Sequence, residues 1–298
     1  MKEQRNLSDT RGNRLGIGIF KLLLRCGGYR PALLLARIVT WFYATFDRTA
    51  RQSAAEYLKL RFPEDADDPR KLKKHFHRQI YQLAKMLILS WRMGEGNKLP
   101  LEEKNADCLP ASGGVVVVLA HFGSWQASME LINRKDGPGV CIMARPDHNI
   151  NMDKFLAVKK KHDFKVISTE GFSGGLIEAS AALERGEAVI VMGDRAVDGT
   201  ACISADYLGG KIELPLSPWM LAARNHVPAI PVFTELKQDP ERIEIRYSRP
   251  VLFPETDRRV RAEELRPAAE QYAEELEKAA LQSPYCVFRF GNEKQSGI

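Results

Sequence analysis

Residues 114–120 read GVVVVLA and run straight into HFGSWQ at 121–126. A continuous β-branched run marks a strand covered on both faces, because a strand with one wet face alternates apolar and polar residues. A glycine turn then leads into a helix predicted over 124–134. The alternation continues outward, with strand 139–144 (GVCIMA), helix 151–162, strand 164–168, helix 173–185 and strand 188–192 (AVIVM). Helix 216–225, strands 229–236 and 242–248, and helix 262–281 follow. This order predicts an α/β fold, a mixed, mostly parallel sheet flanked by helices. Ligands of such sheets sit at the carboxyl ends of the strands, so the residues just after each strand are the ones to inspect.

Composition sets the outer limits. The chain has 298 residues, 44% hydrophobic and 28% charged, which suits a globular core. Its 22 Gly and 16 Pro exclude collagen-like, low-complexity and largely disordered chains. No stretch approaches ~18 uninterrupted apolar residues, so no spanning helix is expected. Cys26, Cys108, Cys141, Cys202 and Cys286 are scattered with no C-x-x-C pair, which argues against a disulfide framework and a cysteine zinc site. Neither metal nor other cofactor is expected, and the setting is reducing.

The charge is unevenly placed. Residues 1–61 hold twelve Lys and Arg against four acids, a net +8, while the whole chain carries +6, so the remainder carries −2. Within that basic fifth lie two apolar segments, 15–24 (LGIGIFKLLL) and 31–46 (PALLLARIVTWFYATF), interrupted by Lys21 and Arg37 and bracketed by Arg14, Arg25, Arg30, Arg48 and Arg51. Trp41, Phe42 and Tyr43 suit the headgroup level of a bilayer, and anionic lipid attracts each nearby cation. The expectation is a helical membrane-attachment region over 1–95, peripheral on an anionic membrane surface, with an α/β domain over 96–298 packed against it as one unit. Core helices of an N-terminal bundle are the alternative. Lys21 interrupts a signal-peptide h-region and no A-x-A site follows. No nucleic-acid motif accompanies the basic residues, so nucleic acid is not an expected partner. A further helix is predicted over 70–93, with His75 and His77 read as solvated side chains on different faces.

The residues after the strands form a set: His121-Phe122-Gly123-Ser124-Trp125-Gln126, then Arg145-Pro146-Asp147-His148-Asn149, then Gly193-Asp194-Arg195. A histidine at a strand end can present its imidazole to a crevice, while the following helix N-terminus supplies backbone donors. Taken alone, such a histidine is equally often structural.

With these blocks in this order the chain resembles the bacterial lipid A late-acyltransferase branch of the lysophospholipid acyltransferase superfamily. That branch carries His, four residues, then Asp or Glu, in a stretch like H-x-G-N-W-E; here it stands as HFGSWQ. Its second block is similar to Arg145, Pro146, Asn149 and Asp153, and its later block to GDR, YLGG and LPL within 193–216. The basic apolar N-terminus, Phe62-Pro63 and the Pro-Tyr-aromatic segment at 284–290 extend the likeness over most of the chain.

The resemblance implies acyl transfer from a thioester, on acyl carrier protein or coenzyme A, to a hydroxyl or amine of a lipid acceptor at the cytoplasmic face of the bacterial inner membrane. His121 is then the general base, since an imidazole with a pKa near ~6.5 takes a proton at neutral pH. No covalent acyl-enzyme is needed. Gly123, Ser124 and Trp125 offer backbone donors for an oxyanion. Arg145, Asn149, Asp194 and Arg195 are the further substrate-binding candidates, the arginines as phosphate holders. The family's acid is replaced by Gln126, which orients an imidazole without stabilising its charge. Glu130, one helical turn on, is the candidate to supply that charge. A catalytically weakened lipid-binding relative is the alternative reading. Gly171-Phe172-Ser173-Gly174-Gly175 also matches the G-x-S-x-G of a serine esterase, but the later His226 falls before a strand and serves a triad poorly, so it reads as a glycine-rich loop capping helix 173–185.

Overall fold

The computed structural model describes residues 29–94, 99–125, 127–128, 139–144, 164–169, 174–195, 200–238, 241–253 and 260–288. Three helices come first: α1 (Tyr29–Phe46), α2 (Arg48–Arg61) and α3 (Pro69–Gly94). Strands β1 (Leu101–Lys104), β2 (Val115–Gly123), β3 (Val140–Ala144), β4 (Phe164–Ser168) and β5 (Ala188–Met192) follow, with α4 (Leu176–Glu184) between β4 and β5. Then come β6 (Cys202–Tyr207), β7 (Gly210–Pro215), α5 (Ser217–Arg224), β8 (Ala229–Gln238), β9 (Glu241–Tyr247) and α6 (Ala262–Gln282).

Seven strands form one sheet in the order β1-β9-β8-β2-β5-β3-β4, parallel throughout except for β8 against β9. The expected mixed, mostly parallel sheet is observed. β2 is its centre, and the two sides of its β-branched run enter separate cores. Val116, Val118, Ala120 and Phe122 pack with Leu265, Tyr272 and Leu276 of α6 and with Trp219. Val115, Val117 and Leu119 pack with Met86 and Leu89 of α3 and with Ile243 and Tyr247. Side chains alternate across a strand, so a strand apolar on every residue is stable only with both faces covered.

Several elements escaped the sequence reading: α2, the short edge strand β1 and the hairpin β6–β7. The hairpin turns at Leu208-Gly209, both with positive φ (50° and 75°). Strand β2 also runs further than expected and carries His121 within it. Helix 151–162 and Ser173 lie outside the described residues. The glycine cap of α4 is present at Gly174 and Gly175, where a side chain at Gly175 would meet Ser168 O at 2.5 Å. His75 is not solvated. Its ring stacks on Phe62 at 3.8 Å, Nε2 meets Asp65 Oδ2 at 2.9 Å, and Nδ1 meets the Tyr285 hydroxyl at 2.9 Å.

The exit of β2 shapes the site. Pairing with β8 holds through Leu119–Val232 and resumes only at Gly123–Thr234, so four steps on β2 match two on β8. This bulge re-aims the strand at Ala120–Phe122. Leu119 O, on the β5 side of the strand, accepts from Gly193 N at 2.8 Å and from the Tyr272 hydroxyl at 3.0 Å. Phe122 bridges instead to Val287, antiparallel. Gly123 returns the chain to β8 with φ +52°, where a Cβ would lie 1.9 Å from Thr234 O. Only glycine fits there. Gly123→Ala should therefore lower stability by at least about 2 kcal/mol, read as a reduced urea midpoint.

Candidate active site

The parallel pairing of β2 with β5, Leu119 opposite Met192, places the two strand exits side by side. Gly193 follows β5, and a side chain there would strike Val118 Cγ1 at 2.3 Å and the Tyr272 ring at 3.3 Å. The bare Cα lets the chain turn so that Asp194 faces His121. His121 Nδ1 lies 2.9 Å from Asp194 Oδ1, and the His121 backbone N–H donates to Oδ2 of the same carboxylate at 2.9 Å. Asp194 is 2% exposed, whereas the His121 side chain is 29% exposed.

Burial alone would push the Asp194 carboxyl up. The opposing charge and hydrogen bonds of His121, aided by nearby Arg195, outweigh it and bring the group down to about 2. An ionised carboxylate only accepts, so Nδ1–H is the donor to Asp194, and in the neutral imidazole the lone pair lies on Nε2. Among the described residues no group bonds Nε2. The Trp125 ring stands edge-on to the imidazole at 6.5 Å. The His121 carbonyl accepts from Phe288 N at 2.6 Å, and Arg195 Nη2 donates to Phe288 O at 3.4 Å.

A buried carboxylate behind an imidazole with one free nitrogen is a general-base arrangement in geometry. The family model described as "Bacterial lipid A biosynthesis acyltransferase" matches residues 2–285. The chain belongs to that family. The crystal structure of the 1-acyl-sn-glycerophosphate (LPA) acyltransferase, PlsC, from Thermotoga maritima is similar over 83% of this chain and 96% of that one, at 17% identity and a TM-score of 0.37. A comparison with curated proteins found no match.

The acyltransferase brings only some of the sequence-derived candidates together. His121, Gly123, Ser124, Trp125, Asp194 and Arg195 converge at the exits of β2 and β5. Gln126, Glu130, Arg145 and Asn149 lie outside the described residues. Asp194, read from sequence as substrate-binding, has both oxygens on His121, one of them at Nδ1. The Ser124 N–H, expected among the oxyanion donors, is committed to Thr234 O at 3.0 Å, and the Ser124 side chain is fully buried. The esterase reading fails on topology. Gly174 and Gly175 follow the carboxyl end of β4, whereas His226 precedes the amino end of β8, at the opposite edge of parallel strands. Among the described residues no three His, Cys, Asp or Glu cluster at metal-binding distance.

The Asp194 pairing also makes a pH prediction. Its folded-state value of about 2 lies below an unfolded value near ~4, so its stabilisation is present above pH ~4 and disappears as the pH falls toward 2. Asp194→Asn should remove on the order of 2 kcal/mol of pH-dependent stability from that window. Urea midpoints measured between pH 2 and pH 6 test it.

Proposed function

We propose that this acyltransferase moves a fatty acyl group from an acyl thioester, on acyl carrier protein or coenzyme A, to a hydroxyl or amine of a lipid acceptor, with His121 as general base. The observation that carries the reading is the His121–Asp194 pair, with Nε2 unbonded among the described residues. Nε2 removes the proton from the acceptor as its oxygen or nitrogen attacks the thioester carbonyl. The tetrahedral intermediate collapses, the C–S bond breaks, and the thiolate leaves with the proton from the imidazolium. Asp194 keeps the imidazole in the reactive tautomer and stabilises its charge, the work that the sequence alone suggests for Gln126 and Glu130. Arg195, beside the exit of β5, is the described cation suited to a phosphate of donor or acceptor.

The reaction belongs at an anionic membrane surface, the inner membrane's cytoplasmic face, and α1 supports this. Ala32, Ala36, Thr40 and Ala44 are buried, whereas Leu34, Ile38, Trp41, Phe42 and Phe46 are 57% to 64% exposed. Those five recur at helical spacing on one side, an apolar face larger than scattered surface residues make. Exposed Arg37 and Arg48 flank it. No helix among the described residues is long and apolar enough to cross a membrane.

Initial rates with long-chain acyl thioesters and a bacterial lipid extract test the chemistry. His121→Ala should abolish transfer, Asp194→Asn should lower kcat by about 10²-fold or more, and Gln126→Glu should change it by less than about threefold. Full activity in His121→Ala would sink the assignment. For the surface, the triple change Trp41→Ser, Phe42→Ser, Phe46→Ser should cut flotation with anionic vesicles by about tenfold or more. Unchanged flotation would remove α1 from the attachment.

A further inference from the structure

The segment 284–288 reaches the site from outside the sheet, and it is held by the N-terminal helices. The Tyr57 hydroxyl of α2 donates to Pro284 O at 2.6 Å, and Gln79 Nε2 of α3 donates to Val287 O at 2.6 Å. We propose that Gln79 is a positioning residue for His121, acting through the peptide between Val287 and Phe288. This rests on the base assignment above.

The carbonyl that Gln79 bonds and the N–H that bonds His121 O belong to one peptide unit. A trans peptide is rigid and planar, with its C=O and N–H directed oppositely. The unit is therefore a strut with the Gln79 amide at one end and the His121 main chain at the other, both contacts at 2.6 Å. Bonds in series also polarise one another, so donation to the carbonyl makes the far N–H a better donor. On its other side the Phe288 carbonyl accepts from Arg195. The strut, the imidazole and the Asp194–Arg195 turn thus form one bonded unit.

The environment of Gln79 supports a specific role. The residue is 0% exposed, yet its Oε1 is buried with no partner among the described residues. An orphaned buried acceptor is costly, and packing alone would be served by an apolar side chain of similar volume. Among the described residues its amide makes one hydrogen bond, the donation to Val287 O. A pattern of functional constraint overriding a local rule is what such an exception marks.

Full-length Gln79→Leu removes the donor and keeps the bulk. Its kcat per folded molecule should fall about tenfold with KM within about twofold, and the acid limb of its kcat pH profile should move, because the imidazole shifts against Asp194. Near-UV circular dichroism supplies the folded fraction at each pH. Gln79→Glu is the second variant, decisive also where the leucine variant does not fold. Protonated, its hydroxyl donates to Val287 O; ionised, it opposes that carbonyl with two acceptors. Its kcat per folded molecule should rise relative to the native enzyme as the pH falls. A native kcat and pH profile in Gln79→Leu, or losses in both variants that only track the folded fraction, would overturn the proposal. Retained transfer in His121→Ala would overturn the base assignment instead.

Discussion

A carboxylate stays ionised in a protein interior only if donors meet its oxygens, and Asp194 finds them for both on a single residue, His121. Moving such an ion out of water costs several kcal/mol without that compensation. The pairing in turn demands that β2 and β5 be neighbours, that Gly193 carry no side chain against Tyr272, and that β2 leave β8 before His121. Each demand is met by an element that would otherwise look incidental. The sheet order, the glycine and the bulge together make one buried charge tolerable.

That dependence explains what could be read from the chain alone. The run at 114–120 and the alternating segments after it announce themselves locally, through the period of two and the double burial, and most of their ends fall within a few residues of the observed ones. β1, with sequence LEEK, is short, polar and at an edge, so it has no such signal. The hairpin does have one, since Ile203, Ala205 and Tyr207 alternate inward ahead of the Leu208-Gly209 turn. Each of its strands is only six residues long, so the alternation is brief.

At the site, the local spacing of HFGSWQ directed attention to Gln126. His121 and Asp194 are instead 73 residues apart, joined by strand adjacency that no single sequence states. The clue available was the position of Asp194, two residues beyond a strand of the same sheet. Phe288 gave less still, because its contribution is its backbone N–H, which every residue but proline owns. Helix α1 posed the opposite difficulty, being too apolar for a surface helix and too charged for a buried one. The two readings belong to its two sides: small residues allow close approach to α3, and the large ones remain outside.

The strap at 284–288 has a consequence for how the molecule is made. Its bonds to Tyr57 and Gln79 close loops of 227 and 208 residues, among the longest-range contacts in the fold. Closure entropy grows only slowly with loop length, so such contacts are affordable at equilibrium, but they form late in time. The ribosome delivers the strap only after the sheet and α6 have emerged, at about 5–20 residues per second. A nascent chain can therefore hold α1 against α3 for about 10 s or more before His121 has its last backbone partner, since roughly 190 residues separate α3 from the strap. The exposed apolar face of α1 would be in place before the site is complete.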